Sequence, residues 1–225
     1  MKTSRPALLS ALALTALVIA TGGFTSGATA TERLATSAGG STAASGSRPV
    51  YVVAIHGPGV VHQADGTAFY PTGKLAAGTI MVIPNEDGTL PGGMSISEIA
   101  RRANSSTTMA AASSCLGGTY LTTLNTWTSV QTATNCVVIG SSTGTVSYWF
   151  GIAPGTNGSA LGQGLGYYQG YNGSTFGIWA KWYGLGMASD GLPGGATLPW
   201  VNVAANPKFM AMGMSIVPAM GNWGV

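Results

Sequence analysis

The residues best suited to metal binding or acid–base chemistry lie in one short segment. His56 and His62 are the two histidines of the sequence, and Asp65 is the nearest carboxylate. Imidazole and carboxylate groups act as metal ligands and as general bases. The spacing matches no established zinc motif, and the Gly-Pro-Gly between the histidines predicts a loop. We therefore predict no metal site, and the three side chains remain candidates beside the alternative of solvated loop residues.

Other arrangements that support catalysis are not evident. Carboxylate pairs are possible only between distant segments, for example Glu86 with Asp190, and such spacing does not define a glycosidase pair. No Gly-rich stretch carries the Gly-Lys-Ser or Gly-Lys-Thr of a phosphate-binding loop. We predict no cofactor and favour a protein that is not an enzyme. A secreted hydrolase or metal-dependent enzyme using His56, His62 and Asp65 is the alternative.

A predicted strand at residues 175–183 carries the most informative side chains. Successive side chains of a strand point to opposite faces, so Trp179, Lys181 and Tyr183 share one face. Lysine is almost never fully buried without a partner, and we expect this face to meet solvent. Three tyrosines just upstream extend the predicted platform: Tyr167, Tyr168 and Tyr171. Such rings suit stacking on sugars or contact with a protein. The alternative is that the rings are core and the lysine snorkels from a rim.

The first 30 residues have the order of a secretory signal peptide. Lys2 and Arg5 give a positive start, residues 7–20 are mostly apolar, and positions 28–30 read Ala-Thr-Ala. This pattern predicts cleavage after Ala30 and a secreted or cell-surface protein. The apolar run is shorter than the roughly 20 residues that cross a bilayer, and no later stretch is longer. No transmembrane helix is expected in the mature chain.

Cleavage also changes the charge. The full chain has nine Lys plus Arg and six Asp plus Glu, a formal net charge of +3. Loss of Lys2 and Arg5 leaves seven cations against six carboxylates, a net charge of +1. Nucleic-acid binding needs cations clustered on one face, and Arg101-Arg102 is the one adjacent pair in the predicted mature chain. We predict no nucleic-acid partner.

Two cysteines, Cys115 and Cys136, complete the chemistry-bearing residues. In an exported chain they are predicted to form one disulfide. A thiol nucleophile or metal ligand is the alternative, but it needs a reduced site.

Composition divides the remaining chain. Residues 31–48 are mainly Ala, Gly, Ser and Thr and predict a disordered linker. Residues 49–104 form a small α+β segment, with strands expected at 50–55 and 79–83. In that segment the Ser95–Glu98 spacing predicts a capping box and a short helix to about Ala103. Residues 105–114 are a polar connector, and 115–225 form a β-rich domain with the disulfide.

The β-rich segment has turn residues at intervals of about 8 to 12 positions, as in sandwiches and barrels. We expect a hairpin between residues 136–139 and 145–152, with a turn at 141–144. Alternation places Met210, Met212, Met214 and Ile216 on one face, which we interpret as gap-filling core. The predicted fold is mainly β, an antiparallel sandwich or barrel with one short helix in an N-terminal α+β segment.

Three functions are compatible with these features. The first is a secreted, non-catalytic β-rich protein that binds a glycan or a protein at the cell exterior through an exposed aromatic face. The second is the enzyme described above. The third is a self-assembling cell-surface protein, because the final hundred residues carry few charges to oppose strand pairing between copies.

Overall fold

The computed structural model describes residues 47–105 and 115–225, which belong to one compact unit. Three predicted segments fall elsewhere. The signal peptide at 1–30, all but the last two residues of the linker at 31–48, and all but the first residue of the connector at 105–114 lie outside the described residues.

Strands dominate these two ranges. They are β1 (Val50–Val52), β2 (Val61–His62), β3 (Ala68–Pro71), β4 (Ile80–Val82), β5 (Leu116–Leu121), β6 (Gln131–Thr132), β7 (Val138–Ile139), β8 (Thr145–Ile152), β9 (Ser159–Asn172), β10 (Thr175–Ser189), β11 (Gly194–Pro199), β12 (Val203–Ala205), β13 (Lys208–Gly213) and β14 (Met220–Gly224). Helix α1 spans Ile96–Ser105, and a 3-10 turn spans Pro91–Gly93. The predicted mainly β class with one short helix is confirmed. No helix in the described ranges is long and apolar enough to cross a membrane.

The strands form three sheets. Sheet A has the order β1-β4-β12-β7, sheet B has β2-β3-β10-β9-β13-β6, and sheet C has β11-β8-β14-β5. Neighbouring strands of sheets B and C run antiparallel, whereas β1 and β12 run parallel to β4 in sheet A. In sheets A and B, two strands from residues 49–104 lie at one edge and pair with strands from residues 115–225, so these two segments share sheets.

Helix α1 begins where the sequence predicts, with one of the two bonds of the predicted capping box. The Glu98 amide donates to Ser95 Oγ at 3.2 Å, which satisfies one of the free amides of the first turn. The Glu98 carboxylate accepts from Arg102 one turn later, at 2.8 Å. Ile99 and Ala103 are buried in a cluster with residues of β4 and β12, so the helix covers sheet A.

Strand β8 confirms one part of the hairpin prediction and contradicts another. Its alternate side chains are buried, as predicted: Val146, Tyr148, Phe150 and Ile152. The predicted hairpin with residues 136–139 is wrong, because β7 pairs with β12 in sheet A and β8 pairs with β11 and β14 in sheet C. The turn between them instead bonds to a distant segment: Trp200 N donates to Gly144 O at 2.8 Å, and Asn202 N donates to Ser141 O at 2.9 Å. These bonds fix the turn at the point where the chain passes from sheet A to sheet C.

The methionine row of β13 is not core. Phe209 and Ala211 are buried, whereas Met210 and Met212 on the other face are half-buried and Met214 is exposed. Alternation identifies two faces of a strand but not which face is covered. The face that carries Phe209 and Ala211 lies inward. The Phe209 ring stacks on Trp223 there, with 5.1 Å between the ring centroids.

Sheet B lies between sheets A and C, and β9 makes this clear. A Cβ added at Gly162 or Gly164 would meet side chains of sheet C, among them Phe150 and Tyr148. On the opposite side, Gln169 Nε2 donates to Met81 Sδ of sheet A at 3.7 Å. We call these the C-facing and A-facing sides of sheet B.

The predicted disulfide is present between Cys115 and Cys136, whose Cα atoms lie 5.8 Å apart. It ties the start of β5 to the loop before β7. Replacing both cysteines by serine is expected to lower the free energy of unfolding by about 3 kcal/mol, because the unfolded chain regains the entropy of a loop of this length. Urea unfolding measures this change, and the wild type under reducing conditions is the matched comparison. A loss below about 1 kcal/mol in both would contradict the expectation.

Candidate aromatic binding site

The hairpin of β9 and β10 positions the predicted platform. Its two-residue turn is Gly173-Ser174, and Gly173 has φ 60°, as the first position of a type II′ turn requires. The turn makes Asn172 pair with Thr175 and thereby fixes the register of the hairpin as far as the pair of Gly184 with Gln163, after which a β-bulge shifts it. Directly opposite residues of antiparallel strands have side chains on the same face.

This register brings Trp179 opposite Tyr168 on the C-facing side of sheet B. Their rings lie 6.4 Å apart between centroids and only 12° from parallel. Lys181 follows on the same face and is exposed, and Tyr183 is half-buried against Gly166. We call these four residues the aromatic ledge. It provides two nearly parallel rings, a third ring and a cation beside them.

A row of side chains across four strands supports the ledge. Val61, Phe69, Trp179 and Tyr168 are consecutive cross-strand partners from β2 to β9. Phe69 is 1% exposed, and its ring centroid lies 4.9 Å from that of Trp179. The indole Nε1 donates to Tyr171 O at 3.4 Å, which fixes one edge of the ring. The Trp179 ring is therefore held in place by packing against the buried Phe69 ring and by a hydrogen bond to a backbone carbonyl.

A glycine allows the supporting ring to lie close to the sheet. A Cβ at Gly177 would lie 2.7 Å from Phe69 Cζ, closer than real Cβ atoms come. Glycine beside an aromatic residue on a neighbouring strand lets the ring cover the backbone. The absence of a side chain at Gly177 thus allows the Phe69 ring to lie against the backbone of β10.

Charge near the ledge is sparse. Burial raises the pKa of Tyr183, with a smaller contribution from Tyr168, so its hydroxyl is neutral at physiological pH. Hydrogen bonds from the backbone and side chain of Thr67 lower the pKa of Asp65, and Lys181 adds a small electrostatic contribution. Lys181 therefore has a carboxylate in its neighbourhood while its own side chain stays exposed.

Two tyrosines predicted for the platform lie elsewhere. Tyr167 is 1% exposed, packs edge-on against Trp200 at 4.8 Å, and has a pKa raised by burial. Tyr171 is exposed but pairs with Phe176 on the A-facing side. Both differences from the prediction have the same reason. Odd-numbered positions of β9 face sheet A and even-numbered positions face sheet C, so Tyr167 and Tyr171 lie on the side of sheet B opposite to Trp179. The structure keeps Trp179, Lys181 and Tyr183 together, as predicted, and makes Tyr168 the ring that completes them.

The histidine segment does not gather its three candidates. The His56 and His62 rings lie 6.5 Å apart. Asp65 instead accepts from the Thr67 amide at 2.9 Å. The carboxylate near His56 is Glu86, at 3.9 Å, which also lies 3.9 Å from Lys208 Nζ. Across residues 47–105 and 115–225, no group of three His, Cys, Asp or Glu side chains is arranged to hold a metal ion.

One further pattern relates to catalysis. Residues 140–144 have the spacing Gly-x-Ser-x-Gly around Ser142. A nucleophile elbow of this type joins a strand to a helix. Here the segment joins β7 to β8, so the structural context of the elbow is not met.

No protein-family model matches the chain, and neither a curated protein nor a solved structure matches it. The side chains of the ledge and their surroundings are therefore the basis for a function.

Proposed function

We propose that this is a secreted, non-catalytic protein that binds a glycan on the aromatic ledge. The observation that carries the proposal is the supported pair of nearly parallel rings, Trp179 and Tyr168, on one face of sheet B. A pyranose ring has an apolar C–H face that packs against a flat aromatic ring, while its hydroxyls bond to polar groups at the rim. Lys181 and the tyrosine hydroxyls provide such groups.

The size of the ledge favours a glycan over a protein partner. Standard protein interfaces bury roughly 800 Å² on each partner, around a desolvated core. Trp179, Tyr168 and Tyr183 are all partly covered already, so they offer a smaller surface. One or two sugar rings match a surface of this size.

The disulfide supports the cell exterior as the place of action. Disulfides persist in oxidising compartments and are rare in the cytosol. The signal-peptide pattern at residues 1–30 predicts the same destination. Polysaccharides of the cell exterior are then the glycans that the protein meets.

Affinity electrophoresis tests the proposal. The mature protein is run through native gels that each contain one neutral polysaccharide, such as a β-glucan, a mannan, a xylan or soluble chitin. We expect at least one gel to retard it, and the matching free oligosaccharide to reverse the retardation. Unchanged mobility in every gel would contradict the proposal.

A second candidate, self-association, rests on a different surface. Nine of the fifteen large hydrophobic side chains that are exposed in the described ranges lie at one end of the sheets: Leu121, Leu124, Trp127, Met187, Leu192, Met214, Ile216, Val217 and Met220. Backbone hydrogen bonds, such as Met214 N to Ser159 O and Thr122 N to Ala219 O, hold the loops that connect the strands close together at this end. Exposed apolar side chains gathered in one region often mark interfaces. We call it the apolar end.

Two residues of the apolar end, Ile216 and Leu192, allow a test of self-association, because both are exposed and Ile216 is 87% exposed. If two copies meet at the apolar end, replacing both residues by serine is expected to weaken dimerisation at least tenfold, because apolar area is then no longer removed from water. Sedimentation equilibrium measures the dissociation constant. Ile96→Ser, an exposed apolar residue of α1, is the control and should leave it unchanged. A wild-type protein that stays monomeric at all concentrations would rule out this candidate.

A further inference from the structure

A second aromatic pair lies on the other side of the same hairpin. Tyr171 and Phe176 are opposite each other near the turn, with ring centroids 5.2 Å apart and planes at 68°. Tyr171 is 68% exposed and faces the sheet A side. It is not part of the aromatic ledge, although Trp179 Nε1 bonds to its carbonyl oxygen.

A cleft of about 690 Å³ opens beside this pair. Residues 73–79 form one wall, and the hairpin tip forms another. Its apolar lining includes Leu75, Tyr171 and Phe176, and its polar lining includes Gln169, Ser142 and Asn202. The volume falls in the range of roughly 300–1,000 Å³ that is usual for small-ligand sites, which combine apolar walls with a few polar groups.

The charge of the cleft has one sign. Lys74 lines it, and no Asp or Glu is among its lining residues. Within the described chain no carboxylate forms an ion pair with Lys74. Arg48 lies beside the cleft, where it donates to Asn202 Oδ1 at 2.7 Å and to Gly78 O at 3.0 Å. An anionic group on a ligand would therefore meet cations without an opposing carboxylate.

We propose that this cleft binds an acidic sugar unit, a uronic acid of a polysaccharide. Its ring packs on Tyr171, its carboxylate pairs with Lys74, and its hydroxyls bond to the amide of Gln169 and the hydroxyl of Ser142. The inference rests on the proposed glycan binding and adds a substrate class to it. The two faces of one hairpin would then hold a neutral and an acidic part of a polysaccharide.

Calorimetric titration of the mature protein tests this with matched ligands. The acidic probes are tetrasaccharides of galacturonic, glucuronic or mannuronic acid, and each has its methyl ester as the neutral counterpart. We expect at least one acid to bind tenfold or more tightly than its ester. Lys74→Gln is expected to remove that preference, and Tyr171→Ala to weaken acid and ester alike by about tenfold. Arg101→Gln, which removes an equal charge from helix α1, is expected to change neither affinity.

The outcomes separate the two proposals. If Trp179→Ala abolishes acid binding while Lys74→Gln leaves the preference intact, acidic sugars bind at the ledge; the cleft assignment is then wrong and glycan binding stands. If neutral polysaccharides bind and no acid is preferred to its ester, the cleft assignment is again wrong. If no glycan of either kind binds, both proposals fail. Loss of the preference in Lys74→Gln, with acid binding retained in Trp179→Ala, supports the cleft.

Discussion

Replacing Trp179 by alanine is expected to weaken the affinity for the retarding polysaccharide by about 10- to 100-fold, or about 1.4 to 2.8 kcal/mol. The indole supplies the largest flat surface of the aromatic ledge, and Phe69 beneath it holds it in place without solvent exposure. Tyr168→Ala is expected to cause a smaller loss, because Trp179 remains. The double variant should show no retardation in affinity electrophoresis.

Two controls distinguish loss of stacking from loss of fold. Trp149→Ala removes a tryptophan that is exposed on sheet C, away from the hairpin, and should bind as the wild type does. Trp179→Phe keeps a flat ring and should recover part of the affinity. If Trp149→Ala reduces binding as much as Trp179→Ala does, the site lies on sheet C and the ledge proposal is wrong.

The second large effect concerns stability. Replacing Trp223 by alanine is expected to lower the free energy of unfolding by about 3 to 5 kcal/mol, as for other buried large-to-small changes. The indole is fully buried, stacks on Phe209 at 5.1 Å and on Tyr148 at 6.4 Å, and donates from Nε1 to Gln131 Oε1 at 2.6 Å. Its removal leaves a cavity between sheet C and β13 and an unpaired amide oxygen.

Urea unfolding followed by far-ultraviolet circular dichroism measures this change. Trp223→Phe keeps a ring in the cavity and loses the N–H, so its cost should be smaller, about 1 to 2 kcal/mol. Trp149→Ala should cost less than half as much as Trp223→Ala, because that side chain already meets solvent. A Trp223→Ala variant within 1 kcal/mol of the wild type would show that this cluster contributes little to the core.

Local patterns predicted much of the fold. The capping residues Ser95 and Glu98 placed the start of α1, and alternation placed the buried face of β8 correctly. The pairing of β7 with β12 was not predictable in this way, because it depends on contacts of Trp200 and Asn202 more than 50 positions away. The methionine face of β13 was misassigned for a related reason: both faces are apolar, and only the position of sheet C decides which one is covered.

The ledge shows the same limit on a smaller scale. Side-chain alternation grouped Trp179, Lys181 and Tyr183 correctly, but the choice among three upstream tyrosines needed the register between two strands. The signal for that register was present in the sequence, since Gly173-Ser174 is a typical two-residue hairpin turn with glycine at its first position. Counting outward from a two-residue turn at Gly173-Ser174 places Tyr168 opposite Trp179 and Tyr171 opposite Phe176. Burial of Tyr167 under Trp200 depends on sheet packing and not on that count.

The most direct test of glycan binding at the ledge follows the six tryptophans one by one. In protein labelled with ¹⁵N-tryptophan, each indole N–H gives one NMR signal, which single substitutions assign. Titration with the oligosaccharide that reverses retardation should shift the Trp179 signal in proportion to the bound fraction, while the buried Trp200 and Trp223 signals stay in place. A titration in which the sugar binds and the Trp179 signal does not move would contradict the account.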